Sequence, residues 1–258
     1  MAVVLGRKSR HDITLMRKAG QIVAEVHALV KEALRPGVTT LQLDEMAEAH
    51  IRKSGGLPTF KGYHGFPATL CTSINDEVVH GIPSAERILH EGDVISVDTG
   101  CTYKGLIADS AFTAGIGAID PKVQALLDAT RESLYAAIAI MKPGAYLEDI
   151  GGAVEDTCAK YGYGLVKQYG GHSVGHKLHE PPFVPNYRTG ERGPELKSGA
   201  TIAVEPMFNL GTEAVYTADD DWTVLTEDHQ PSAHFEHTIL ITEDGSEPLT
   251  EMLGTPVW

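Results

Sequence analysis

The sequence predicts an α+β fold made of two related halves, each a helix-helix-strand unit, with antiparallel sheet between them. Three pairs of matching features support this prediction, and the two members of each pair lie 107 positions apart. They are the Pro-Gly steps that end two long helical stretches, the glycines that end two shorter ones, and the apolar strands GDVISVD and GATIAVE. Self-similarity at one fixed offset is the mark of an internal repeat. We expect a single domain over residues 1–258, with halves at about 12–120 and 121–250.

The helices are predicted by apolar periodicity. Residues 12–35 and 121–142 carry apolar side chains at helical spacing, and each stretch stops at a Pro-Gly step. The segments 39–55 and 146–162 follow as second helices, and each ends in glycine. Both halves therefore contain two helices before their strand.

Carboxylates end the two matching strands. Asp98 and Glu205 each follow an alternating apolar segment, and a hairpin after each is expected to bring back Asp109 and Glu236. Buried carboxylates need compensation, yet Lys104 is the only cation near the first pair. If the halves are related by a pseudo-twofold axis, four acids converge there, and cations must neutralise them. We therefore expect a dinuclear metal centre at the middle of the fold.

Three histidines lie close together in residues 170–182, which read GGHSVGHKLHEPP. His172, His176 and His179 are candidates for metal ligands or proton carriers, but their spacing alone does not decide. The zinc proteases that use H-x-x-x-H place a glutamate beside the first histidine on a continuous helix. Here Ser173 takes that place, and glycines and prolines favour extended or irregular backbone. Any partner ligands must come from elsewhere in the chain.

Composition excludes several classes of protein. The formal net charge of −14 argues against sequence-specific nucleic-acid binding, although residues 1–60 hold nine Lys and Arg against six acids. No apolar run approaches the length of a membrane span or a signal-peptide core. Three cysteines without a C-x-x-C motif suit a reducing compartment. We expect a cytoplasmic protein without a membrane partner.

Ordered motifs resemble the methionine aminopeptidases, specifically the short bacterial form of type I, which have the pita-bread fold of dinuclear metallohydrolases. The motifs are NDEVVHGIP, ISVDTG, LIADSAFT, GGHSVGHKLHEPP, TIAVEP, DDWTVLT and HFEHTILIT, and the resemblance covers about residues 10–250. It implies five metal ligands, which are Asp98, Asp109, His172, Glu205 and Glu236. It gives His176 no role.

The resemblance also implies the chemistry. Two divalent ions are expected, of cobalt, manganese, iron or zinc, with Asp109 and Glu236 bridging them. His80 and His179 contact the substrate, His179 stabilises the developing oxyanion, and Glu205 carries a proton to the leaving amine. The implied reaction is removal of the initiator methionine from nascent proteins whose second residue is small.

A side-chain pocket for methionine is implied by the same resemblance, since aromatic and soft groups suit a thioether. Its expected residues are Phe60, Tyr63, His64, Phe66, Cys71, Leu178 and Trp222. For Phe60 and Leu178, ordinary core packing is an equal alternative. A monomer is expected, and the chain's own start, Met1-Ala2-Val3, is expected to be a substrate.

Alternatives remain within and outside this fold. Thirty residues separate Glu205 from Glu236, too few for the helical insert of type II enzymes, and the cysteine-rich zinc extension of eukaryotic type I forms is not expected. An X-Pro dipeptidase or aminopeptidase P shares the five ligands, and a non-catalytic binding protein would have lost some of them. A further hypothesis is docking on the ribosome surface through a set of N-terminal cations. These are Arg7, Lys8, Arg10, Arg52 and Lys53.

Overall fold

The computed structural model describes residues 5–251, so the expected domain of residues 1–258 and the Met1-Ala2-Val3 start extend outside the described part of the chain. Within it the helices are α1 (Arg10–Ala33), α2 (Thr40–Lys53), α3 (Pro121–Ile140) and α4 (Leu147–Tyr161), with a short 3-10 turn at Tyr63–Gly65. The strands of the first half are β1 (Leu57–Pro58), β2 (Leu70–Ile74), β3 (Glu77–Val79), β4 (Val94–Tyr103) and β5 (Leu106–Gly115). Those of the second half are β6 (Gly164–Leu165), β7 (Gly171–Ser173), β8 (Glu180–Val184), β9 (Thr201–Val204), β10 (Met207–Asn209), β11 (Val215–Thr217), β12 (Val224–Thr226), β13 (Ser232–His234), β14 (His237–Ile241) and β15 (Ser246–Pro248). No helix in residues 5–251 combines the length and the apolar character that crossing a bilayer requires.

The helices begin where local side chains satisfy free backbone groups. At α1, Ser9 Oγ accepts from the Asp12 amide at 3.1 Å while Asp12 accepts from the Ser9 amide at 3.0 Å. This reciprocal arrangement is a capping box, which stabilises the first turn. At α2, Thr39 and Gln42 form the same pair of bonds. Both helices of the first half are therefore started by short-range sequence signals.

The expected duplication is present in the backbone. The helices α1 and α3 end 107 residues apart, α2 and α4 begin 107 apart, and β4 and β9 begin 107 apart. After each long helix, Gly37 and Gly144 have positive φ values of 91° and 94°. Their amides donate to matching carbonyls, of Leu89 at 2.8 Å and of Leu196 at 3.1 Å. The backbone after the first helix therefore has the same conformation and the same type of hydrogen bond in both halves.

The strands form antiparallel sheets. In one, β4 pairs with β1 and β2 along one edge and with β5 along the other, and the largest has the order β15-β14-β9-β7-β8. Two three-stranded sheets, β13-β10-β6 and β11-β12-β3, flank them. Asp98 was expected to end its strand, but β4 continues to Tyr103 because residues 99–103 are paired with β5. Glu205 does follow the last residue of β9.

The two halves are joined at the middle of the molecule. The Glu236 amide donates to the Ala111 carbonyl at 2.9 Å, and the Ala111 amide donates back to the Glu236 carbonyl at 3.4 Å. One hydrophobic cluster includes fully buried side chains of both halves, such as Phe112 and Ile239. The pairing of β5 with the start of β14 therefore brings Asp109 of the first half near Glu236 of the second.

The position of Lys8 contradicts its expected place among the cations that would dock on the ribosome. The Lys8 side chain is only 5% exposed and its ammonium lies 2.9 Å from the Glu180 carboxylate. A cation paired inside the protein is not available to an external anionic partner, so Lys8 does not belong to a basic docking face. Arg52 is exposed but paired with Glu48 at 2.8 Å.

The matching glycines give a test of the duplication. We expect Gly37→Ala and Gly144→Ala each to lower the free energy of unfolding by roughly 1–2 kcal/mol, because a Cβ disfavours positive φ although no neighbour would contact it. Urea unfolding of the metal-free protein, followed by circular dichroism, measures both values. Gly245→Ala is the control, since its backbone is not left-handed and an added Cβ would lie 3.9 Å from its nearest neighbour, Thr242 Oγ1. Clearly unequal losses at the two positions would contradict equivalent backbone turns.

Candidate active site

A cavity of about 240 Å³ lies where the two halves meet. Its wall contains every metal-ligating, catalytic and substrate-binding side chain expected from the sequence. The lining residues are Phe60, Tyr63, His64, Phe66, Cys71, His80, Asp98, Asp109, His172, Leu178, His179, Glu205, Trp222 and Glu236. The fold thus brings together residues that are up to 176 positions apart in the sequence.

Three of the expected metal ligands form a tight group. Asp109, His172 and Glu236 are buried, and one potential ligand atom from each lies within 4.8 Å of the others. Asp98 and Glu205 line the same cavity outside this group. The arrangement offers four carboxylates and one imidazole to a single space.

Strand register places the acids. Asp98 pairs with Ala111 across β4 and β5, so Asp109, two residues before Ala111, faces the same side of the sheet. Glu236 is held against Ala111 by the two backbone bonds at the junction. On β9, Val204 pairs with the residue after Glu236, which puts Glu205 beside it. Main-chain pairing therefore fixes the convergence of the carboxyl groups.

Burial and mutual repulsion perturb these acids strongly. Burial, together with the charge of Asp109, raises the pKa of Asp98 and that of Glu236 well above their usual ranges. Burial likewise raises the pKa of Glu205 to about 8. Burial also acts to raise the pKa of Asp109, but the charge of His172 and its hydrogen bond outweigh burial, so the pKa of Asp109 is lowered. The net shift thus disfavours the ionised form of three of the four acids.

Opposing effects act on the imidazole of His172. Burial acts to lower its pKa, but Asp109 at 3.4 Å and Glu205 at 3.7 Å outweigh it and raise the pKa to about 9. Asp98 Oδ1 is buried with no hydrogen-bond partner among residues 5–251. An acceptor left without a donor, within a set of carboxylate oxygens and one imidazole, fits divalent cations of the hard and borderline classes.

His179 lies next to the ligand cluster. Its ring meets that of His172 edge to face, with 4.4 Å between the centroids. Burial and the neighbouring His172 lower the pKa of His179 to about 4, so its imidazole is neutral at neutral pH. The Tyr63 hydroxyl is 2.9 Å from Nδ1, and burial raises the pKa of this phenol, which keeps it protonated. A bond donated by Tyr63 to Nδ1 leaves the imidazole hydrogen on Nε2.

His80 lines this cavity and also a second one. Its backbone has a positive φ of 63°, and its ring lies 5.8 Å from Tyr169 and 6.3 Å from Trp222 between centroids. Burial lowers its pKa. The second cavity, of about 350 Å³, shares His80, His172, His179 and Glu205 with the first. Space for a ligand therefore continues on both sides of these residues.

The rest of the first cavity is apolar. Phe66 and Trp222 meet edge to face with centroids 5.1 Å apart, and Phe60 and Leu178 are buried against the same space. Burial, with Asp98 nearby, raises the pKa of Cys71 well above its usual range, so the thiol is neutral. Such a wall accepts an unbranched apolar side chain.

Two residues near the acids were not identified from the sequence. Thr238 donates to Asp109 Oδ1 at 2.8 Å and accepts from the Asp109 amide at 3.1 Å. His234 is buried, with Nε2 3.7 Å from Glu205. Both are two positions from Glu236. Alternation along an extended chain was the signal that could have found them, because residues at i and i±2 face the same side.

Comparison with known proteins agrees with this geometry. Residues 14–243 match the model of metallopeptidase family M24. The chain is 46% identical to a methionine aminopeptidase of Clostridium acetobutylicum, over 94% of this chain and 97% of that protein. It is 45% identical to methionine aminopeptidase 1 of Mycobacterium tuberculosis, over 96% of this chain and 95% of that protein.

Solved structures give the same result. A crystal structure of methionine aminopeptidase from Thermotoga maritima matches with a TM-score of 0.94 and 41% identity, covering 96% of this chain and 99% of the other. A prolidase from Pyrococcus furiosus matches with a TM-score of 0.75 at 22% identity, over 95% of this chain and 65% of the other, which shows a shared fold alone. The expected pita-bread fold is confirmed. The chain therefore belongs to metallopeptidase family M24 and, within it, to the methionine aminopeptidases.

Proposed function

We propose that this protein removes the N-terminal methionine from polypeptides whose second residue is small. The observation that carries the proposal is a cavity of about 240 Å³ whose wall joins an apolar part to a cluster of four carboxyls and one imidazole. The names of its relatives in M24 agree with this activity. A methionine side chain would occupy the part of the cavity around Phe66 and Trp222.

The metal-binding residues are proposed to be the five that converge in the cavity. Asp98, Asp109, His172, Glu205 and Glu236 would hold two divalent ions, and the donor set suits manganese, iron and cobalt and admits zinc. Such ions, when bound, polarise a carbonyl and lower the pKa of water. They also remove the mutual repulsion of the acids.

The catalytic side chains have separate proposed tasks. His179, with its hydrogen on Nε2, would donate to the oxygen of the scissile carbonyl as negative charge develops there. His80 would contact the backbone of the residue that becomes the new N-terminus. Glu205 would accept a proton from the attacking water and give it to the leaving amine.

The path of the polypeptide follows from the two cavities. With methionine in the apolar cavity, the remaining chain would leave through the second one, past Tyr169 and the half-exposed Phe183. The Tyr169 ring against His80 would limit the size of the second residue. A substrate whose backbone is displaced from the ligands by a bulky residue loses the geometry for attack.

The oligomeric state, the compartment and the partners of the protein are also part of the proposal. The protein would act as a monomeric single domain in the cytoplasm on the N-termini of nascent chains, without membrane or sequence-specific nucleic-acid partners. Any ribosome contact would use the cations left after Lys8 is removed from the group, among which Arg10 and Lys53 lie on the surface.

Substrate selectivity is the first test. The metal-loaded protein is expected to cleave Met-Ala-Ser at least about 100-fold faster than Met-Leu-Ser, because a bulky second residue would push the backbone outward and take the scissile carbonyl out of the geometry for attack. It is expected not to cleave Gly-Pro. Chromatographic detection of released amino acid gives kcat/KM for each peptide. Equal rates on the two methionine peptides would refute the proposed selectivity, and Gly-Pro cleavage would favour an X-Pro dipeptidase.

Removal of a central ligand is the second test. Glu236→Gln keeps the side-chain shape but loses a charged ligand, so we expect both metal content and kcat to fall, the latter by about 1000-fold, or about 4 kcal/mol. Metal analysis after dialysis and peptide assays measure the two effects. Glu243→Gln is the control, since Glu243 is exposed. A variant that keeps both metals and normal turnover would disprove the assigned ligand role.

The oxyanion role of His179 is the third test. His179→Ala is expected to retain the metal ions and to lose about 100-fold or more in kcat, the usual effect of removing one such donor. His176→Ala, three positions away and exposed, is expected to behave as wild type. Full activity of the His179 variant would show that another group contacts the carbonyl.

A further inference from the structure

The segment before α1 is tied to the second half of the molecule. The Lys8 amide donates to the Gly199 carbonyl at 2.7 Å, and Arg7 forms a β-bridge with Ala200 at the start of β9. Lys8 is thereby held by its own backbone beneath the loop of residues 174–179, which connects β7 to β8. The position of its side chain does not depend on the flexibility of a chain end.

Glu180 uses both carboxylate oxygens. Oε2 lies 2.9 Å from Lys8 Nζ, while Oε1 accepts from the His176 amide at 2.7 Å and from the Lys177 amide at 3.2 Å. The two charged side chains are 5% and 18% exposed. Glu180 Oε1 therefore binds two backbone amides of the loop of residues 174–179, and Oε2 binds Lys8 of the N-terminal segment.

The stem of Lys8 also fills the space under the loop. A Cβ at Gly175 would lie 2.0 Å from Lys8 Cε, so the absence of a side chain at residue 175 lets the loop backbone rest on the lysine stem where it now lies. The Gly175 carbonyl in turn accepts from the Ile107 amide of β5 at 2.8 Å. The loop is thus fixed from below and from the sheet that carries Asp109.

From these contacts we propose that Lys8 and Glu180 are a positioning pair for His179. Glu180 directly follows His179 in the chain, so fixing its carboxylate fixes the backbone from which the imidazole extends toward His172. The Tyr63 hydroxyl holds the far side of the ring, at Nδ1. The inference rests on the proposed function in one respect, which is that His179 contacts the reacting carbonyl.

An ion pair that is largely shielded from water is a suitable device for this purpose. Replacing a buried pair by uncharged groups often leaves stability unchanged, whereas removing one partner is costly, so the stability of the fold need not be what this pair serves. A displacement of a catalytic group by about 1 Å can lower the rate on the order of 100-fold. The pair is therefore expected to influence turnover through the position of the imidazole.

The test is a double-mutant cycle with His179. Lys8→Met and the double variant Lys8→Met/Glu180→Gln are made in the wild-type and in the His179→Ala backgrounds, and kcat for Met-Ala-Ser is measured per metal-loaded site. Arg17→Met is the matched control, because it removes an exposed ion pair between α1 and Glu247. Hydrogen exchange of the metal-free proteins reports the order of residues 174–180 independently of activity.

We expect both Lys8 variants to lower kcat about tenfold with normal metal content, and to have no further effect once His179 is alanine, because a pair that acts through the imidazole has nothing left to position. We expect faster exchange at the His176 and Lys177 amides in these variants and no change in Arg17→Met. The double variant, which leaves no unpaired buried charge, covers the case in which Lys8→Met alone fails to fold.

Three results would overturn the proposal. They are wild-type kcat in the double variant, an equal loss of kcat in both backgrounds, and unchanged exchange of the loop. A wild-type protein that leaves Met-Ala-Ser uncut would refute the proposed function instead, and the exchange measurement would still decide whether the pair orders the loop.

Discussion

Four carboxyl groups placed in one buried cavity repel each other, and the rest of the structure is arranged so that they nevertheless meet. Burial alone disfavours each ionised acid, and their proximity adds to the effect, as the raised pKa values of Asp98, Glu205 and Glu236 indicate. Local packing does not bring such groups together. They converge because the register of the strands that carry them fixes their positions, and that register is held by main-chain hydrogen bonds along β4, β5, β9 and β14. The residual negative potential is then what makes the site selective for cations.

The duplicated architecture solves this problem with two similar units. Each half provides a strand pair that carries two acids on the same side, and the junction between β5 and the residue before β14 brings the two pairs together. The halves differ around the site. His172 comes from the second half, on β7, while the first half supplies Phe60, Tyr63 and Phe66 to the apolar wall. The symmetric part of the fold concentrates charge, and the asymmetric part determines which side chain can lie beside it.

Much of this could be predicted from the sequence because the signals are local or repeated. The Pro-Gly stops gave the positions where α1 and α3 end to within two residues, and the matching strands identified Asp98 and Glu205 as equivalent. The four acids follow from the repeat and its hairpins, whereas the roles of the other cavity residues were inferred from motif resemblance, which carries three-dimensional information that spacing does not contain. Their roles stay predictions, since residues that share a cavity need not share a reaction.

What could not be predicted depends on contacts between distant segments. That Lys8 lies inside the protein follows from its pairing with Glu180, 172 positions away, whereas its neighbours in sequence suggest an exposed basic stretch. The continuation of β4 beyond Asp98 depends on pairing with β5 and β1, which the alternation of one strand does not show. His234 and Thr238 acquire their meaning only from the position of Glu236.

The junction between Ala111 and Glu236 has a consequence for how such a molecule can change over time. Its two hydrogen bonds use amide and carbonyl groups alone, so almost any pair of residues can form them. Substitutions in either half that leave these backbone groups in place therefore leave the two bonds intact. Glu236 contributes its backbone to that joint and its carboxylate to the cavity. Side-chain contacts at the same junction, such as the bond that Thr238 donates to Asp109 at 2.8 Å, can by contrast be lost by substitution, so the junction combines a part that tolerates divergence between the halves with a part that does not.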